Sequence, residues 1–148
     1  MPYFVGELLE IPVTATQDYS LFHILCDYST KLWEEQVRTI VQAHGMASFI
    51  VHPDYVIERR AQETYKQLLG YLADLRTNHD LWIARPGEIN DWWRARAQMQ
   101  VVPEGDTWRV EGPESERACI AYAQARGDAI VYRVEKSVNR RAVGVGKQ

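Results

Sequence analysis

Apolar positions along this chain fall into short runs and helical stripes, and the two alternate. Glu7–Val13 (ELLEIPV) is a short apolar run closed by Pro12, which predicts a buried strand leading into the polar loop Thr14–Ser20. Leu21–Leu25 predicts a short apolar turn or helix. Ser29 or Thr30 then offers an N-cap for a helix with Leu32, Trp33, Val37, Ile40 and Val41 on one face, and Gly45 is its stop. Met46–Val51 (MASFIV) predicts a second buried strand, delivering the chain to His52-Pro53-Asp54. A long helix from about Glu58 to Thr77 follows, with Tyr65, Leu68, Leu69, Leu72 and Leu75 on one stripe. Asp80–Ala84 (DLWIA) predicts a third strand with Trp82 in the core. Arg85-Pro86-Gly87 is a turn, and a helix from about Glu88 carries Ile89, Trp92, Trp93 and Met99.

Strands alternating with helices predict an α/β fold, a parallel sheet covered by about three β/α units, over residues 1–100. After Gln100 the pattern changes. Thr107–Glu111, Arg117–Ala123 and Ala129–Val134 are strand-like and separated by turn residues, which predicts a small antiparallel β appendage over 101–138. Cys119–Ala123 reads equally as helix, since Ala favours helices. The tail 139–148 is small, polar and expected to be mobile.

Composition narrows the class. In 148 residues, a 46% apolar and 25% charged content is that of a soluble folded chain, and no apolar run is long enough to span a bilayer. The N-terminus lacks the basic and long apolar regions of a leader. A net charge of −3 argues against a nucleic-acid partner. Cys26 and Cys119 stand far apart, without zinc-ligand spacing, which predicts two buried free thiols and a reducing cytoplasm.

In parallel sheets, chemistry gathers at the carboxyl ends of strands. That rule selects the loop with Asp18, the His52-Pro53-Asp54 corner, and Arg85 with Glu88. His52 has the chemistry for general acid, general base or metal ligand, or it hydrogen-bonds a loop backbone structurally. Asp18 either orients a histidine or closes its loop as a cap or Asx turn. Arg85 binds a carboxylate or sugar hydroxyl, or forms a structural ion pair. Neighbouring helical residues point about 100° apart, so at most one of Trp92 and Trp93 faces a ligand. His44, at a helix end, reads as a capping residue, and His23 and His79 show no ligand spacing. No nucleophile elbow, P-loop, dinucleotide fingerprint or HExxH is present.

The runs LLEIPVTATQDYSLFHIL, HGMASFIVHPDYV and DLWIARPGEINDWWRARA, in this order, resemble the C-terminal half of polysaccharide-deacetylase-like proteins. The resemblance covers roughly residues 5–100. It implies a distorted (β/α) barrel, removal of N-acetyl groups from sugars and a divalent metal, commonly zinc. It implies His52 as catalytic acid, with Asp18 as an acidic residue of the late active-site loops. Asp54, Arg85, Glu88 and Trp92 are then the substrate-binding candidates. The family's early Asp-Asp and His-x-x-x-His motifs are not in this sequence. The expectation is therefore the rear part of a deacetylase, inactive alone, with no cofactor of its own and zinc only in the completed domain. Open sheet edges then predict association with a missing front half or with another copy. The alternative is a non-catalytic module that binds carbohydrate or protein, or a structural homo-oligomer. Neither nucleic acid nor membrane is expected as a partner.

Overall fold

The computed structural model describes residues 1–79 and 81–136, with the backbone alone for Lys136. The tail 139–148, the last two residues of the expected appendage, and Asp80 lie outside the described residues. The chain divides into two compact units, Met1–Pro86 and Gly87–Gln148.

The first unit opens with a hairpin of β1 (Tyr3–Val5) and β2 (Leu8–Glu10), antiparallel, with Val5 opposite Leu8. A short helical segment begins at Asp18 and continues as a π-helical turn, Ser20–Ile24. Helix α1 (Lys31–Gln42) follows, then a stretch without regular structure, a single 3-10 turn at Pro53–Tyr55, and helix α2 (Arg59–Asn78). Helix α1 ends as a Schellman motif. His44 takes the left-handed conformation at φ 51°, its N–H donates to Val41 O, and Gly45 N donates to Ile40 O at 2.8 Å.

The core of this unit is Leu21, Phe22, Trp33, Ala61 and Leu68, so the π-helical turn and both helices contribute to it. Tyr28, Leu32, Phe49, Val56, Tyr65, Tyr71 and Leu72 pack around that centre. Phe22 stacks on Tyr28 at 5.1 Å and meets Trp33 edge-on, and Trp33 meets Phe49 in the same way. Phe49 belongs to the stretch that ends at His52, so the core anchors the segment carrying the candidate histidine.

The second unit holds most of helix α3 (Pro86–Ala97), hairpin β3–β4 (Gln100–Glu104, Thr107–Glu111) and hairpin β5–β6 (Cys119–Arg126, Ala129–Lys136). All three hairpins turn through two residues with glycine first: Gly6-Glu7, Gly105-Asp106 and Gly127-Asp128. Each glycine sits at a φ of 57–59° and the acidic residue after it has a negative φ, the type II′ pattern whose twist suits antiparallel strands.

This architecture corrects the expected partial (β/α) barrel. The three described sheets are two-stranded and antiparallel, in a mixed α+β arrangement. The run expected as the first buried parallel strand folds back on Tyr3–Val5 instead, and Leu8 is 72% exposed. Met46–Val51 forms no strand, and Leu81–Ala84 forms none either. Trp82, expected in the core, is 47% exposed, and its segment belongs to none of the described sheets. A short apolar run signals burial or extension but does not name its hydrogen-bonding partner, whereas a two-residue glycine turn does. Cys26 and Cys119 are free, but exposed rather than buried.

Candidate active site

The site begins with two segments lying side by side. Thr14 N and Ala15 N both donate to Ser48 O at 3.2 Å. Ser48 N donates to Thr14 Oγ1 at 2.9 Å, and that hydroxyl donates to Met46 O at 2.8 Å. Further along, His52 N donates to Asp18 Oδ2 at 2.5 Å. The Thr14–Ser48 and Asp18–His52 pairs share a sequence offset of 34. A constant offset means that the two segments run in the same direction. These five side-chain and backbone bonds replace the strand ladder expected here.

Helix α1 fixes the first segment from its other side. Trp33 Nε1 donates to Thr16 O at 2.6 Å. Gln36 closes a reciprocal pair: Thr16 N donates to its Oε1 at 3.0 Å, and its Nε2 donates to Thr16 Oγ1 at 2.8 Å. Trp33 and Gln36 stand three residues apart and therefore share a helix face. The polar loop thus gains its partners from the helix stripe that also builds the core, and Asp18 follows two residues later.

Asp18 is completely buried at 0% exposure. Its Oδ1 accepts from Tyr19 N at 2.8 Å and contacts His52 Nδ1 at 2.8 Å, while its Oδ2 accepts from His52 N. With Asp18 ionised, its carboxylate only accepts, and the proton of that ring contact is then on Nδ1. The lone pair of neutral His52, or the second proton of its charged form, is then on Nε2. The His52 side chain remains 44% exposed. A buried carboxylate that sets the tautomer and orientation of an accessible imidazole is an acid–base pair in the chemical sense. Pro53 helps to place it, since the residue before proline favours extended backbone and His52 sits at φ −99°, ψ 130°.

The structure brings His52 and Asp18 together and puts Asp54, exposed, on the 3-10 turn directly after His52. Arg85 is exposed in the segment preceding α3, which is not a strand end. Glu88 and Trp92 belong to the second unit. There the Arg117 guanidinium lies 4.1 Å above the Trp92 ring and occupies one face of it, while Arg96 lies over Trp93. The single rim that was to gather all three places required a parallel sheet, and that sheet is absent among the described residues.

Three residues that sequence reasoning passed over adjoin the pair. Tyr19, His23 and Tyr55 are mutually in ring contact, and Tyr55 meets the His52 imidazole at 5.2 Å. The available signal was adjacency: Tyr19 follows Asp18, and Tyr55 comes one turn after His52.

Among the described residues, no group of three or more His, Cys, Asp or Glu side chains is arranged to hold a metal ion. Both oxygens of Asp18 are already engaged by hydrogen-bond donors. The residues described therefore do not fit the divalent metal implied by the resemblance. No described helix is long and apolar enough to cross a membrane. Compared with family models, curated proteins and solved structures, the chain matches none.

Proposed function

We propose that this chain supplies the proton-transfer part of a carbohydrate de-N-acetylase, with His52 as the catalytic acid and Asp18 as its positioning residue. Residues outside this sequence supply the part that activates water, and the chain alone does not turn over. The observation that carries this reading is the buried Asp18 carboxylate on Nδ1 of a half-exposed His52. Amide hydrolysis needs such a group, because an amine leaves readily only once its nitrogen is protonated. With Nδ1 held by Asp18, the imidazolium donates its Nε2 proton to the departing sugar amine and becomes neutral imidazole. The fully buried anion stabilises the charged ring before the transfer and holds its orientation throughout. The order of motifs around Asp18 and His52 supports an N-acetylated sugar as the amide.

The test is reconstitution. This chain is mixed with a separately expressed front segment carrying the Asp-Asp and His-x-x-x-His motifs, and acetate release from N-acetylglucosamine oligomers is measured. The expected result is a complex that releases acetate, with release lowered about 10²–10⁴-fold by His52→Ala. A complex whose activity survives His52→Ala would overturn the assignment, as would no complex and no release.

A further inference from the structure

The rings beside His52 form a surface of their own. Tyr19 and His23 lie four residues apart across the π-helical turn, with centroids 5.5 Å apart and planes inclined by 30°. Tyr55, from the 3-10 turn, closes a triangle at 5.2 Å from Tyr19 and 5.0 Å from His23. This group differs from the core aromatics in one decisive respect. Phe22 and Trp33 are buried, whereas Tyr19 is 45% exposed, His23 is exposed and Tyr55 is half-buried. Apolar packing therefore does not account for the triangle. Contiguous exposed ring surface next to a polar site is characteristic of ligand contact.

We infer that Tyr19, His23 and Tyr55 form a ledge on which a saccharide ring stacks, placing its acetamido group beside His52. The inference rests on the deacetylase reading above and names where that substrate lies. Three features of the ledge select a sugar. Aromatic faces accept the C–H face of a pyranose, while the tyrosine hydroxyls and the imidazole offer hydrogen bonds to its hydroxyl rim. The exposed carboxylate of Asp54, between His52 and Tyr55 in the same turn, adds an acceptor for hydroxyls and repels phosphate-bearing ligands. Continuity with His52 through Tyr55, at 5.2 Å and 67°, puts the acid one ring contact away from the bound sugar.

The experiment is a titration of the full chain with chitotetraose, observed through the ring resonances of His23 and His52. Both sets of signals are expected to shift saturably, with Tyr19→Ala weakening binding about tenfold and His23→Ala severalfold. Tyr55→Phe keeps the stacking face but loses one hydroxyl contact, and is expected to weaken binding less than Tyr19→Ala does. Equal affinity in Tyr19→Ala and the unaltered chain overturns the ledge, and so does a flat titration. The two proposals fail separately. A flat titration with intact, His52-dependent acetate release in the reconstituted complex removes the ledge and leaves the acid. Saturable, Tyr19-dependent binding with release that ignores His52→Ala removes the acid and leaves a saccharide-binding ledge.

Discussion

Replacing Asp18 by asparagine changes one oxygen into an amide and leaves the volume almost unchanged, so it isolates the hydrogen bonding of the pair. Asp18 takes three donors at once, from Tyr19 N, His52 N and His52 Nδ1. Asparagine has one acceptor oxygen and an amide group that only donates. Whichever way the amide turns, its NH2 meets at least one N–H of His52 or Tyr19. Hydrogen bonds to a charged group contribute about 1.5–3 kcal/mol, and a buried donor left without a partner costs about 1–3 kcal/mol. The His52 ring is half exposed, so its share falls at the low end of that range. The expected loss for Asp18→Asn is about 2–4 kcal/mol in the first unit.

Unfolding in urea, followed through the Trp33 indole N–H signal, reads that loss locally. With a typical urea slope for a small protein, the midpoint falls by roughly 1–2 M. Where the amide turns its NH2 to Nδ1, the His52 ring changes too, because that contact favours the tautomer protonated on Nε2. Nitrogen chemical shifts of the imidazole report that change independently of stability. An unchanged midpoint would refute the claim that the Asp18 carboxylate holds His52.

Other substitutions probe the frame around the pair. Trp33→Phe removes the donor to Thr16 O while keeping an aromatic ring in the core. A loss of about 1–3 kcal/mol is expected, with faster hydrogen exchange at the backbone amides of residues 14–18. Leu68→Ala opens a cavity in the same core, and urea unfolding should show a loss of about 2–5 kcal/mol. His44→Gly relieves a left-handed non-glycine residue at the end of α1 and should raise the thermal midpoint, by about 1 kcal/mol in stability. In the second unit, Gly112→Ala places a methyl group 2.9 Å from Met99 Cα at a φ of 128°. Thermal unfolding followed by strand circular dichroism should show the second unit melting earlier, by about 1–3 kcal/mol.

What the sequence disclosed depended on the kind of signal each segment carried. The amphipathic stripes gave α1 and α2 almost to the residue, because a helix satisfies its own backbone and needs only a buried face. The apolar runs were misread, because a strand is completed by a partner that its own residues do not name. Glycine followed by an acidic residue stands in the sequence at all three described hairpin turns, and a strand begun at Glu7 starts inside the first of them. Asp18 and His52 lie together for a reason that outlived the sheet. Two parallel strands were expected to deliver them to one rim, and a shared offset of 34 keeps the two segments side by side with few of a ladder's bonds. The ring ledge was beyond sequence reading for a related cause. Tyr19 and His23 meet across a π-helical turn, and the Asp18–His52 contact helps to hold the segment of Tyr55 beside them. Loss of that contact should therefore disperse the ledge as well as freeing the imidazole. Asp18→Asn links the two proposals physically, while the Tyr19 and His52 substitutions keep them apart.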